Sequence, residues 1–350
     1  MSYLNVDDAD WITHLSIRNV EEPELSPAIG QFCKLSELVI KHTGFTSLPP
    51  EFSQLTNLVA LSICLTSLKT FPPEILSLCK LRTLYISATP LESISLEIGK
   101  LQELRSLSII YTRIQTLPPG IGQLHKLKAL DCSGNDLCDI PKEIGRLTKL
   151  EVFRLHTNQL TTVPRKLGDC ENLRTLDLNN NMLTSFPDIS WKKIEALYLR
   201  KNNLKQLPEG IFRCRSLKTL NISHNKLETI PQALWSLPNL TDLSISLNTP
   251  NKALPPEVCN LATLRVLSLT DIVVTDALPE MNRLRSLKHI LGLGNIGPIP
   301  PWKSCVLRAL LRLRKTTKVD YMHTVDTQRK RMRTLNLLTT EATILNLYFQ

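Results

Sequence analysis

The feature that most constrains this chain is a repeat. The pattern L-x-x-L-x-L-x-x-N/T starts at Leu35, Leu58, Leu81, Leu104, Leu127, Leu150 and Leu173, each 23 residues after the last. It resumes at Ile194, Leu217, Leu240, Leu264 and Leu287, and a weaker first copy starts at Ile12. The step from Leu173 to Ile194 is 21 residues, the step from Leu240 to Leu264 is 24, and the copy at Leu287 is degraded. A period of this length means a stack of like units, each burying its apolar side against the next. That suits a chain of 350 residues, which exceeds the size at which one compact core stops growing. It also explains 65 Leu beside only 5% aromatic residues.

Within each copy the spacing assigns roles. Apolar residues at the fourth and sixth positions alternate along a short strand, so they point inward while their neighbours face solvent. The ninth position is Asn135, Asn158, Asn181, Asn202, Asn225, Asn248 and Asn295 in seven copies, and Thr43, Thr66, Thr89 and Thr112 in copies two to five. A buried amide needs hydrogen-bond partners. A hydroxyl offers fewer, which predicts a different curvature in the first third. The return segment, L-P-x-x-I-x-x-L, sets Pro where the chain turns and then a short helical or 3₁₀ stretch.

Copies such as LKALDCSGNDLCDIPKEIGRLTK (127–149) and LKTLNISHNKLETIPQALWSLPN (217–239) resemble the leucine-rich-repeat family in its intracellular short-repeat form. The resemblance covers residues 12–301. It implies an α/β solenoid, a horseshoe with a parallel concave sheet and about 12–13 repeats. In the family the ninth-position amide bonds backbone groups of neighbouring turns. It also implies a non-enzymatic scaffold or adaptor that binds a protein partner on the concave face. Ras-pathway scaffolds, repeat regions of plant-type immune sensors and delivered bacterial effectors carry similar repeats. A substrate-recognition module of ubiquitin-ligase type and a fragment of an immune sensor therefore stand as alternatives.

Solenoid ends need covers. Residues 1–11 read as an N-terminal cap, with Trp11 available to cover the first core layer. Residues 302–315 (WKSCVLRALLRLRK) carry apolar residues at helical spacing and read as a C-terminal capping helix. Residues 316–350 read as a basic tail outside the repeat. The final NLYFQ resembles most of a protease recognition tag, with Leu345 where Glu would stand, and carries no functional weight.

No pattern points to catalysis, a cofactor or a metal. Nine scattered cysteines without a C-x-x-C pair read as free thiols in a reducing compartment. The seven histidines have no ligand spacing. Gly292-Leu-Gly294-Asn-Ile-Gly297 matches a dinucleotide fingerprint in form, but Pro298, Pro300 and Pro301 forbid the helix that must follow. The acidic amino-terminal stretch and the lack of a long apolar run argue against a signal peptide and a membrane-spanning helix. The expected location is the cytoplasm.

The net charge of +10 is concentrated: residues 302–350 hold ten Lys and Arg against three acids. Arg329, Lys330, Arg331 and Arg333 fit a nuclear signal, a contact with an anionic membrane, or a solvated tail. The lack of interleaved aromatics argues against single-stranded nucleic acid.

The informative surface is concave. Outward residues at the fifth and seventh positions should form columns about 4.8 Å apart per strand. Two zones emerge on this face. One is apolar and aromatic: Tyr85, Ile110 and Tyr111. The other mixes charge with a tyrosine: Asp131, Arg154, His156, Asp177, Tyr198, Arg200 and Lys201. Exposed Tyr and Arg are the residues that protein interfaces favour as anchors, although the charges could also pair along the sheet.

Overall fold

The computed structural model describes residues 9–246, 248, 254–269 and 283–291, all within the unit Met1–Val306. The predicted cap at 302–315, the tail at 316–350 and Asn295 lie outside the described residues.

Among the described residues, thirteen strands form one sheet in strict chain order. They are β1 (His14–Val20), β2 (Glu37–Thr43), β3 (Ala60–Cys64), β4 (Thr83–Ser87), β5 (Ser106–Ile110), β6 (Ala129–Asp131) and β7 (Val152–Arg154). They continue as β8 (Thr175–Asp177), β9 (Ala196–Tyr198), β10 (Thr219–Asn221), β11 (Asp242–Ser244), β12 (Val266–Ser268) and β13 (His289–Leu291). Every neighbouring pair is parallel. The register joins equivalent repeat positions, for example Leu84 to Leu107 and Leu107 to Leu130. This is a leucine-rich-repeat solenoid with an open, curved sheet.

The core is the leucine stack that the alternation predicts. Leu38, Leu61, Leu84, Leu107 and Leu130 are buried, as are Ile40, Ile63, Ile86 and Ile109 at the sixth position. Return segments are short 3₁₀ turns, such as Lys142–Arg146 with buried Ile144. Most start directly after a Pro, which presets the backbone for that turn.

The 21-residue copy has no 3₁₀ turn between β8 and β9. Trp191 fills that space instead. Its indole is 2% exposed, its Nε1–H donates to the Leu167 carbonyl at 3.2 Å, and its ring centroid lies 6.3 Å from that of Phe186. One large side chain replaces the missing residues and restores the period.

The ninth position divides the sheet. Strands β1 and β2 have seven residues, β3 to β5 have five, and β6 onward have three. The change falls where Thr gives way to Asn135. The Asn135 amide donates to the Ile109 carbonyl at 2.8 Å and to the Cys132 carbonyl at 2.9 Å. Asn158 repeats this one copy later, donating to Cys132 and Leu155 and accepting from the Leu137 amide. The side chain thus takes carbonyls of the sixth position, and from β6 onward the strand ends before that position. Thr is too short to reach them, so the strand pairing runs on through Cys64 and Ser87. The hydroxyls of Thr43, Thr66 and Thr89 are buried without a partner, while Thr112 donates to Asn135 Oδ1.

Trp11 departs from expectation. It is 79% exposed, with the Lys34 ammonium 5.1 Å from its ring centre. Ala9, at 7% exposure, is the buried residue of that segment. The cation over its face stabilises the exposed indole by about 0.5–1 kcal/mol.

Candidate functional site

The fifth-position column is a continuous row. Tyr85, Ser108, Asp131, Arg154, Asp177, Tyr198 and Asn221 are register partners in succession. All are half-buried, not fully exposed.

The mixed-charge zone is largely occupied with itself. Asp131 Oδ1 accepts from the Ser133 amide at 3.1 Å and from its hydroxyl at 2.6 Å, while Oδ2 lies 3.8 Å from Arg154 Nη1. Asp177 Oδ1 accepts from the Asn179 amide at 3.0 Å, and Asn179 Oδ1 in turn accepts from the Arg200 amide at 2.8 Å. Burial pushes the Asp177 carboxyl above its usual range, against the opposing pull of the Asn179 amide and of His156 and Arg154. Arg200 Nη2 lies 3.4 Å from His224 Nε2, and its Nε is buried without a partner. His156 Nδ1 lies 3.3 Å from Thr157 Oγ1. The structure sets Asp131, Arg154, Asp177 and Tyr198 in one row across successive strands. Their geometry is that of a braced polar surface.

The aromatic zone is different. Tyr85 is half-buried and bonded to Ser87; burial raises its phenol above the usual range, with Asp131 and Tyr111 nearby adding to the effect. Ile110 is half-buried on the next strand, in register with Ser87. Tyr111 is 59% exposed and stands at the eighth repeat position.

That position forms a third column, which the fifth and seventh columns do not reveal. Asn19, His42, Leu65, Ala88, Tyr111, Thr157, Asn180, Lys201 and His224 all adopt positive φ, between 50° and 58°, and Gly134 adopts 68°. The left-handed region suits Gly and Asn and penalises large or branched side chains. Leu65 and Tyr111 nevertheless occupy it. Leu65 is 42% exposed and Ala88 between them is exposed, so the three make a solvent-facing apolar ridge. Leu65, Ala88 and Gly134 are the residues of this column that the sequence alone did not single out. Aligning the eighth positions of the copies would have found them. Lys201 stands on the same column, exposed, four strands beyond Tyr111.

Among the described residues, no cluster of His, Cys, Asp and Glu is placed to hold a metal ion, and no helix is long and apolar enough to cross a membrane. The eight described cysteines are thiols rather than disulfides. The predicted contacts Arg329, Lys330, Arg331 and Arg333 lie outside the described residues.

Comparison with known proteins agrees with the architecture. The family described as "Leucine-rich repeat region" matches residues 72–187, and "Leucine rich repeat" matches residues 192–249. A leucine-rich-repeat protein of Leptospira interrogans is 30% identical, with a TM-score of 0.76, over 84% of this chain and 80% of that one. The chain belongs to the leucine-rich-repeat family. The fold alone is shared with the internalin InlF of Listeria monocytogenes, 19% identical with a TM-score of 0.63 over 92% of this chain and 90% of that one. It is likewise shared with Drosophila Toll in its complex with Spätzle, 23% identical with a TM-score of 0.66 over 76% of this chain and 37% of that one. No curated protein matches the sequence.

Proposed function

We propose that this protein is a non-enzymatic scaffold or adaptor that binds a folded protein partner on its concave face. The ridge Leu65–Ala88–Tyr111, flanked by Tyr85 and Ile110, is the anchor. The row from Asp131 through Arg154, His156, Asp177, Tyr198 and Arg200 to Lys201 is its polar flank.

One observation carries this reading. Tyr111 holds a large aromatic side chain on left-handed backbone and leaves 59% of it in water. Both features oppose folding, the first by about 1–2 kcal/mol. A solvent-facing aromatic with a fixed orientation is instead what a partner's pocket uses as an anchor. The braced charges beside it supply a rim that stays soluble when unbound. The complex of Toll with Spätzle fits the use of this fold for protein ligands.

The test is capture of partners from lysate, their identification by mass spectrometry, and titration of the purified partner against variants. Tyr111→Ala and Leu65→Ser should each weaken binding at least about tenfold, or about 1.4 kcal/mol. Arg154→Ala should cost less, as a rim residue does. Affinity unchanged by both ridge variants would overturn the reading.

A further inference from the structure

The edge of the sheet where the strands begin carries a charge that the overall balance conceals. Residues 1–301 hold 32 Lys and Arg against 29 acids. The four residues leading into each strand, from 33–36 through 79–82 and 125–128 to 285–288, hold fifteen of those basic residues and only four of the acids. The remainder of 1–301 is therefore acidic, with 17 basic residues against 25 acids.

This edge is one unbroken row. The Arg105 amide donates to the Arg82 carbonyl at 2.8 Å and the Lys128 amide to the Arg105 carbonyl at 2.8 Å. Glu151, Arg174, Glu195 and Lys218 continue the chain of bonds. Side chains of the row therefore stand about 5 Å apart. Like charges at that spacing oppose folding. Glu151 relieves Lys128 at 3.0 Å, and Glu195 relieves both Arg174 at 2.7 Å and Lys218 at 2.8 Å. Arg82 and Arg105 stand side by side; among the described residues neither forms an ion pair, while Glu103, bonded to Lys126, is held below its usual range by Lys126 first and by the charges of Arg82 and Arg105 as well. Both are exposed.

We propose that this edge, centred on Arg82, Arg105 and Lys128, docks an acidic segment of a partner protein. The charge is complementary to carboxylates, and two further facts select a protein over a polyphosphate. Glu151 and Glu195 interrupt the row two strands apart, so a short acidic segment fits the stretch Arg82–Arg105–Lys128, whereas a long polyanion running along the edge would meet repelling carboxylates. The apolar ridge lies on the same copies, six residues along each strand and so about 20 Å away. A short segment with carboxylates at one end and apolar side chains at the other spans both. The inference rests on the concave-face reading in taking the occupant to be a protein and in setting its apolar end on the ridge.

The experiment uses the full chain and a short fluorescein-labelled peptide with a run of Glu followed by Leu and Phe. A single-stranded DNA oligonucleotide and phosphatidylserine-containing vesicles serve as the other arms. Peptide binding, read by anisotropy, should weaken at least tenfold in the Arg82→Glu/Arg105→Glu variant and on raising the salt, as charge-steered contacts do. Both residues are exposed, and circular dichroism checks that the fold is kept. Three results overturn the proposal: no peptide binding, peptide binding unmoved by charge reversal, or tighter binding of the oligonucleotide or vesicles. A loss on Tyr111→Ala without a loss on charge reversal sinks the edge and leaves the ridge standing. The reverse pattern sustains the edge and sinks the ridge.

Discussion

The ring of Tyr111 lies across Gly134, the residue that holds the same repeat position one strand later. A β-carbon on Gly134 would stand 2.8 Å from Tyr111 Cε1, and the glycine itself sits at φ +68°. The glycine thus serves two ends: it takes the left-handed backbone without cost, and it leaves the floor on which the tyrosine rests.

Gly134→Ala should therefore act at a distance. The added methyl strains the backbone by about 1 kcal/mol and displaces the Tyr111 ring. The expected outcome is a small fall in thermal midpoint with a larger fall in partner affinity, although no exposed side chain is removed. Thermal unfolding and titration on the same sample check it. A stability loss with unchanged affinity would show that the ring's position does not matter for binding.

The ninth position predicts opposite outcomes for similar changes. Thr66→Val removes a buried hydroxyl that has no partner, so stability should hold or rise by up to about 1 kcal/mol. Asn158→Leu strips the Leu137 amide and the Cys132 and Leu155 carbonyls of a buried partner, and should cost about 3–5 kcal/mol. Urea unfolding of the two variants measures the contrast.

Two carboxylates should tune stability with pH in opposite directions. Burial raises Asp177 in the folded state, so its contribution is present below the unfolded carboxylate range and is lost as pH rises through the folded value. Asp177→Asn keeps an oxygen for the Asn179 amide, as Asn221 does for Ser223. It should raise the thermal midpoint at neutral pH, with the gain fading below about pH 4. Glu195 is held low by Lys218 and Arg174, despite a smaller opposing effect of burial. Its contribution is present above the unfolded range and is lost as pH falls through the folded value. Glu195→Gln should lower the midpoint at neutral pH and converge with the parent in acid.

Thiol reactivity should separate the described cysteines into two sets. Cys33, Cys79 and Cys138 are exposed, while Cys64, Cys132, Cys170, Cys214 and Cys259 are buried. Burial pushes Cys170 up to about 12 and Cys132 well above the usual thiol range. The thiolate is the reactive species. Peptide mapping after brief alkylation of the native protein should find label on the first set and none on the second until denaturant is added.

Much of this fold is legible in the residue string. The 23-residue period, the alternation of Leu and Ile, and the ninth-position Asn fix the strands, the inward residues and the stacking direction. They do so because these are local demands: a strand alternates every second residue, and an amide that is buried must be bonded. The Thr copies were legible as a departure. That the departure takes the form of longer strands and orphaned hydroxyls was not, since it depends on which carbonyls the next copy offers.

The candidate site divides in the same way. Tyr85, Tyr111, Asp131 and Arg154 could be assigned to one face from spacing alone. Only the tertiary structure decided that Asp131 is tied to Ser133, that Tyr111 lies on Gly134, and that Trp11 stays in water under Lys34. The composition of residues 1–301, nearly neutral in sum, could not announce a basic edge. Sequence order determines what each copy contains. Stacking determines which side chains become neighbours 23 residues apart, and charge, burial and exposure follow from those neighbours.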